Sequence, residues 1–383
     1  MCLSAITDAC ASILNPNDSF DGRILWCANG TTALTTVLRA VKAASRGKDK
    51  KVLIPTCVCP HVYVAVLAAG LEPIMVATDP YNNYALDWMA LEAYPSRGAM
   101  ALLWVHQYGC MSHVEAVRQV CRAKDWVVIE DAALAFGATT HAGVAGTLGD
   151  CGIFSFGKGK VICADYGGAI VLKNATNAAH ALPGLAKAIE NEWTSFNRKA
   201  TADDCEENFH LFARELRHRY NNLYSDFRSG ACATHFQSIL YECTDIVKPL
   251  NEERLLTCLK PEMILQGTML AARRKARADW LSNELSSANV TIVHHVDGTY
   301  WRLNVLVDKQ KRHCLLKKAI SQRLEMSSWY PPLYWMVADA TIIGHTSKEV
   351  EFADTVLNIW VDGIEDWESY SKKLLQLFDD ACK

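Results

Sequence analysis

Two lysines set among glycines are the first residues in this chain that could do covalent chemistry. Ser155-Phe156-Gly157-Lys158-Gly159-Lys160 closes an apolar run that starts at Gly152. An amine held there can attack an aldehyde and form a Schiff base. The same residues allow two other readings. Gly152 to Lys158 satisfies G-x-x-x-x-G-K, the phosphate loop of nucleotide hydrolases. Gly159, however, stands where that loop needs Ser or Thr for magnesium, and Ile153, Phe154 and Phe156 suit a buried strand better than a phosphate cradle. A flexible, solvated loop is the remaining reading.

Three further runs invite chemistry. In Ile129-Glu130-Asp131-Ala132-Ala133 an apolar strand ends in two acids. Asp131 can pair with a protonated ring nitrogen and make that ring an electron sink, or it can simply cap the next turn. In Asn29-Gly30-Thr31-Thr32-Ala33-Leu34, Gly30 permits a tight turn, and Thr31 and Thr32 offer amides and hydroxyls at a helix N-terminus. That arrangement binds phosphate, although Asn and Thr are also ordinary helix caps. Gly167-Gly168 permits close approach of two backbones.

The elements that must position these residues alternate. Arg23–Ala28, Lys51–Ile54, Pro73–Val76, Met100–Val105, Trp126–Ile129, Gly152–Phe156 and Ala169–Leu172 read as strands. Thr31–Ser45, Val62–Ala69 and His113–Lys124 read as helices. Such alternation predicts an α/β unit with a mostly parallel sheet, whose ligands sit at the carboxyl ends of the strands. Residues 173–241 read as helical and charged, with pieces such as Glu206–Tyr220. Beyond Lys248-Pro249-Leu250, helices are predicted at Met263–Leu285, His313–Leu324, Ser347–Trp360 and Ile364–Phe378. Strands are predicted at Thr291–His294 and Tyr300–Val307, and a rigid loop at Trp329–Pro332. The division is therefore an N-terminal segment, 1–22, a large α/β domain, 23–248, and a small α+β domain, 249–383.

A length of 383 residues supports two such units. The net charge of −3 offers no basic surface to nucleic acid or an anionic membrane. No apolar run reaches the ~18 residues of a membrane span, and Met1–Pro16 has no Lys or Arg to begin a secretory signal. A cytoplasmic location is the expectation. The 15 cysteines are odd in number and scattered, which fits reduced thiols used as small apolar residues. Cys57, Cys59 and His61 are too few to complete a zinc site, so no metal is expected.

Taken in order, these runs resemble the sugar aminotransferase family called DegT/DnrJ/EryC1/StrS. Gly30 to Leu34, Glu130 to Ala133, Ser155-Phe156 with Lys160 five residues after the serine, and Gly167-Gly168 match its motifs. Ile54-Pro55, Tyr108-Gly109 and Tyr330-Pro331-Pro332-Leu333 add to them. The likeness is clear from Arg23 to Leu172 and patchy beyond.

The resemblance implies a fold-type-I pyridoxal 5'-phosphate enzyme, a homodimer with the cofactor near the interface. It makes Lys160, rather than Lys158, the Schiff-base lysine and Asp131 the partner of the pyridine nitrogen. It makes Thr31, Thr32 and Ser155 phosphate ligands, with Gly30 shaping the turn. Cys59 stands where the family stacks an aromatic ring on the cofactor, and Leu134 where it has Gln or His. The Asn-Tyr-Arg-Met substrate segment has no clear counterpart; Pro261-Glu262-Met263 is nearest.

The implied reaction moves an amino group from glutamate or glutamine to a keto sugar, sugar nucleotide or related ketone. Candidate substrate residues are Arg302, which can bind a donor carboxylate bidentately, His106 and Tyr330. His106 reads equally as a strand-end histidine. The departures at Cys59 and Leu134 leave another pyridoxal-phosphate reaction open (dehydration, decarboxylation or elimination), as well as a catalytically silent binding protein.

Overall fold

Short apolar runs read as strands because both faces of the sheet they form are covered. The computed structural model describes residues 2–15, 21–45, 50–173, 182–198, 233–242, 246–288, 290–295 and 297–382. Seven strands, β1 (Gly22–Cys27), β2 (Lys51–Pro55), β3 (Glu72–Val76), β4 (Ala101–Val105), β5 (Val127–Asp131), β6 (Cys151–Ser155) and β7 (Gly168–Lys173), join the two-residue strand Ile342–Ile343 in one sheet. Its order is β1-β7-β6-β5-β4-β2-β3 and then Ile342–Ile343. β7 runs antiparallel to both of its neighbours, and the other pairs are parallel.

On one face pack α2 (Gly30–Ala44), α3 (Pro60–Ala68) and α5 (Leu185–Asn197), and on the other pack α1 (Leu3–Leu14) and α4 (Val114–Lys124). β2 shows the consequence. Val52 and Ile54 enter the first core and Leu53 the second, so every residue of the strand interior is apolar. This is the mostly parallel sheet flanked by helices that the alternation predicts.

A second, four-stranded antiparallel sheet contains β8 (Thr291–Val293), β9 (Leu303–Leu306), β10 (Met326–Ser327) and β11 (Val356–Ile359), in the order β8-β9-β11-β10. α6 (Gly267–Glu284), α7 (Lys309–Ser321) and α9 (Trp367–Cys382) share its core, with α8 (Ser347–Thr355) leading into β11. No helix among the described residues is long and apolar enough to cross a membrane.

Several boundaries differ from the sequence reading. Met263–Leu285 is not one helix. It is a short helix, Pro261–Leu265, then α6, with the break before Gly267, where Phe136 presses so close that a Cβ would lie 2.6 Å from its ring. The strand read from Tyr300 begins at Leu303, because Tyr300 adopts φ +48° and the Trp301 amide turns to the Tyr108 carbonyl, 2.7 Å away. The helix read as Ser347–Trp360 stops at Thr355, and Val356–Ile359 is a fully buried strand. So short a run, Val356-Leu357-Asn358-Ile359, fits either period, and β-sheet pairing decides it. α1 and Ile342–Ile343 were not foreseen. The Glu206–Tyr220 helix lies outside the described residues.

Candidate active site

Register brings the candidate residues level. Asp131 closes β5, with Val105 opposite it on β4 and Ile153 on β6. Ser155 ends β6 and pairs with Gly168 of β7. A Cβ on Gly168 would lie 2.4 Å from the Asn29 carbonyl carbon, and one on Gly30 2.7 Å from Ser155 Cβ. Both glycines are therefore required for the N-terminus of α2 to sit against the ends of β6 and β7.

That helix start is a partial match to the expected phosphate site. Asn29 caps α2, its Oδ1 accepting from the Thr32 amide at 2.8 Å. The Thr32 hydroxyl oxygen accepts from the Lys248 amide at 3.1 Å, and the residue is 1% exposed. The Thr32 amide is thus spent on the cap, and its hydroxyl ties down the 246–248 segment. The helix's first residues, Gly30 and Thr31, and the half-buried Ser155 are the groups that remain for an anion. A helix N-terminus favours such a ligand through its unpaired amides and its dipole.

The two lysines part company. Lys158 is exposed, whereas Lys160 is half-buried. Burial pushes the Lys160 amine below its ordinary range; Cys59 and Asp131 oppose that shift, and Arg274 and Arg302 add to it. Burial pushes the Asp131 carboxyl up, and Lys160 and the Ala133 amide, 3.0 Å from Oδ1, work against it. Each group thus feels the other, in a site poor in water. Cys59 lies just before α3 and also senses Lys160 and Asp131; burial first of all raises its pKa, so it is a thiol and not a thiolate. His61, near the same amine, is lowered to about 4 by burial and then by Lys160.

Glu130 has another task. It is fully buried and accepts from the amides of Gly146 and Leu148 at 2.6 Å and of Gly149 at 2.9 Å. His106 Nε2 lies 2.7 Å from its Oε1. Burial alone would raise the Glu130 carboxyl; His106 and the amides bring it below the ordinary range. His106 is 1% exposed. It braces Glu130 from inside through Nε2, and its Nδ1 is buried with no hydrogen-bond partner.

Arg302 was expected on a strand. It precedes β9 instead, 4% exposed, with its guanidinium carbon 3.7 Å from the Trp360 ring centre and 4.6 Å from that of Trp301. Nη1 donates to the Trp301 carbonyl at 2.6 Å, and Nε is buried without a partner. Burial, then Arg274, lowers its pKa to about 9. A Cβ on Gly159 would lie 3.6 Å from Nη2, which places this cation against the Lys160 loop. Tyr330 stacks on Trp301 with ring centres 5.5 Å apart and senses Cys59, Arg302 and Asp131.

Arg274 went unnoticed in the sequence. It is 3% exposed, and its Nη2 donates to the Lys160 carbonyl at 2.6 Å. A signal existed: Ala271, Ala278 and Leu281 form the buried face of α6, and position 274 belongs to that face. Among the described residues no three His, Cys, Asp or Glu side chains gather as a metal site.

Residues 23–200, the stretch that builds most of this site, match the DegT/DnrJ/EryC1/StrS aminotransferase family. GDP-perosamine synthase of Caulobacter vibrioides is 36% identical over 153 residues, 40% of this chain and 40% of that protein. L-glutamine:scyllo-inosose aminotransferase of Streptomyces griseus is 29% identical over 178 residues, 46% of this chain and 39% of that protein. The chain thus spans about two fifths of the length of these curated relatives. In fold the likeness runs further. A DegT DnrJ EryC1 StrS aminotransferase from Brucella abortus superposes with a TM-score of 0.68, 15% identity, and 99% and 95% of the two chains covered. Over residues 23–200 the chain is thus similar in sequence to the DegT/DnrJ/EryC1/StrS aminotransferase family, and along nearly its whole length it shares the fold of the Brucella abortus structure.

Proposed function

We propose that the protein is a pyridoxal-phosphate aminotransferase that moves an amino group from glutamate or glutamine to a keto sugar, sugar nucleotide or related ketone. The observation that carries this reading is the placement of Lys160, half-buried among Asp131, Cys59 and two arginines, while Lys158 faces solvent. The residues fit the cofactor. Gly30 lets the N-terminus of α2, suited to a phosphate, sit directly against the half-buried Ser155, and Asp131 supplies a buried carboxylate for a ring nitrogen. When bound, pyridoxal phosphate supplies an aldehyde for amines and a ring that takes up electrons.

The chain's own residues do the rest. Lys160 would hold the cofactor covalently, and its Nζ would carry a proton at the reacting carbon. Loss of solvation lowers its proton affinity, which keeps more of the amine in the free-base form at neutral pH. Asp131 would hold a proton on the ring nitrogen. Arg302, with Nε unmet inside its tryptophan sandwich, takes the donor carboxylate, and Tyr330 lines the same side. Cys59 leaves a thinner surface over the ring than an aromatic side chain would. A homodimer with the cofactor near the interface belongs to the same proposal, as does a division near residue 248.

Replacing each lysine by alanine tests it. Lys160→Ala should abolish the visible absorbance of the reconstituted protein while its circular dichroism persists; Lys158→Ala should keep both. The reverse pattern would overturn the assignment. Conversion of the bound cofactor by glutamate or glutamine separates aminotransfer from the other pyridoxal-phosphate reactions.

A further inference from the structure

The loop that carries Lys160 runs from Ser155, at the end of β6, to Gly168, at the start of β7. Gly157 and Gly159 loosen its backbone, and Gly159 adopts φ +79°. The Lys160 amide reaches the Gly157 carbonyl only at 3.3 Å; a firmer tie, the Ala164 amide to the Phe156 carbonyl at 2.8 Å, closes the ends of the loop. The grip on the lysine's own peptide comes from a distant part of the chain. Arg274 Nη2 donates to the Lys160 carbonyl at 2.6 Å.

That guanidinium is itself aimed. Arg274 is buried on α6, and its Nε donates to Asp362 Oδ2 at 3.1 Å. Arg273 Nη2 donates to the other oxygen of the same carboxylate at 2.6 Å, which fixes it from a second side. Asp362 lies three residues past β11, beside Val361 in the core of the small sheet. A guanidinium is a rigid planar fork, so holding Nε also directs Nη2. The result is a continuous connection from the small sheet, through Asp362 and Arg274, to the Lys160 carbonyl. The same cation acts through space. Facing the Lys160 amine are Cys59 before α3, Asp131 on β5, Arg274 on α6 and Arg302 before β9, and His61 of α3 feels the amine in turn.

We infer that Arg274 is a positioning residue for Lys160: oriented by Asp362, it holds the lysine's carbonyl and so sets where the amine stands against Asp131. The inference rests on the reading of Lys160 as the reacting amine, and names the residue that places it. Such placement matters because an error of ~1 Å at a reacting group costs about 100-fold in rate.

Amide hydrogen exchange and reductive methylation of the full chain, before cofactor is added, test this by mass spectrometry. Arg274→Gln and Arg274→Lys should both speed exchange across residues 156–164 about tenfold or more, the scale of a lost charge-assisted hydrogen bond, and leave β5 as in the parent. The pH midpoint for methylation of Lys160 should rise in Arg274→Gln, which loses a repelling charge, and stay nearer the parent's in Arg274→Lys, which keeps it. Asp362→Asn leaves Arg274 in place and should give the same local rise in exchange; it serves if an Arg274 variant fails to fold. Unchanged exchange in the loop, exchange raised equally in β5, or an unmoved midpoint in Arg274→Gln would overturn the inference. Visible absorbance of the reconstituted parent and of Lys160→Ala separates the two proposals. Failure there removes the reacting-amine reading while the exchange and methylation results stand; unchanged loop exchange with that absorbance test passed removes only this one.

Discussion

Two adjacent carboxylates, one residue apart in sequence, hold different environments. Glu130 is satisfied by three amides and His106, so it fixes the 146–149 loop and has no donor left to seek. Asp131 has one amide on Oδ1, and Lys160 is the strongest opponent of its burial. Alternation along β5 explains the split, since neighbouring side chains leave opposite faces of a strand. Removing the charge at 131 should therefore touch chemistry and leave the fold alone. Asp131→Asn is expected to retain cofactor absorbance but to slow the single-turnover reaction with the amino donor by about 100-fold or more, the scale of a lost proton-transfer partner. Glu130→Gln should instead lower the melting temperature, because an amide nitrogen would replace an oxygen that accepts from the backbone. Stopped-flow absorbance on the first variant and thermal melts on both distinguish these outcomes; full turnover by Asp131→Asn would end the electron-sink role.

Among elements, the start of α2 carries the sharpest constraint. The built Cβ at Gly30 meets Ser155 Cβ at 2.7 Å and Oγ at 3.2 Å, while the one at Gly157 meets nothing nearer than 3.6 Å. Gly30→Ala gains under 1 kcal/mol of helix propensity and must push α2 off the end of β6, an overpacking cost of about 1–3 kcal/mol. The expected result is cofactor binding weakened about tenfold by equilibrium dialysis, with Gly157→Ala close to the parent. Equal affinity in the two variants would show that the start of α2 holds no phosphate.

This is also the scale at which the sequence was most and least informative. β2, β4 and β5 were legible because a sheet covered on both faces makes unbroken apolar runs, and the α2 motif because turn and cap chemistry are local. Val356–Ile359 misled because four residues, with Asn358 among them, are too short to show a period. Arg274 could not be joined to Lys160 beforehand, since the α6 contact exists only through tertiary packing across more than 100 residues of chain.

At the scale of the whole molecule, the two sheets are fastened by a buried acid. Glu349 lies on α8, which feeds β11 of the small sheet, and it is fully buried. Its Oε1 accepts from the Thr56 hydroxyl and the Thr78 amide, and from the Thr78 hydroxyl at 2.8 Å. Those threonines directly follow β2 and almost directly follow β3 of the large sheet. Burial, only partly offset by these donors, raises the carboxyl from 4.5 to about 7. The folded state therefore holds a proton that the unfolded chain releases near its ordinary pKa. Stability from this group is complete below about pH 4.5 and declines as pH rises through about 7, by roughly 2–3 kcal/mol over the window. Glu349→Gln keeps an oxygen for the three donors and removes the titration. Urea unfolding at pH 5 and pH 8 should show the parent losing stability between them, and the variant losing about 2 kcal/mol less. Glu349→Ala should be destabilised at both pH values, because the threonine donors lose their acceptor. Parallel pH dependence in the parent and the glutamine variant would mean that the carboxylate is already charged at neutral pH, and that the tie between the sheets is ionic rather than a neutral hydrogen bond.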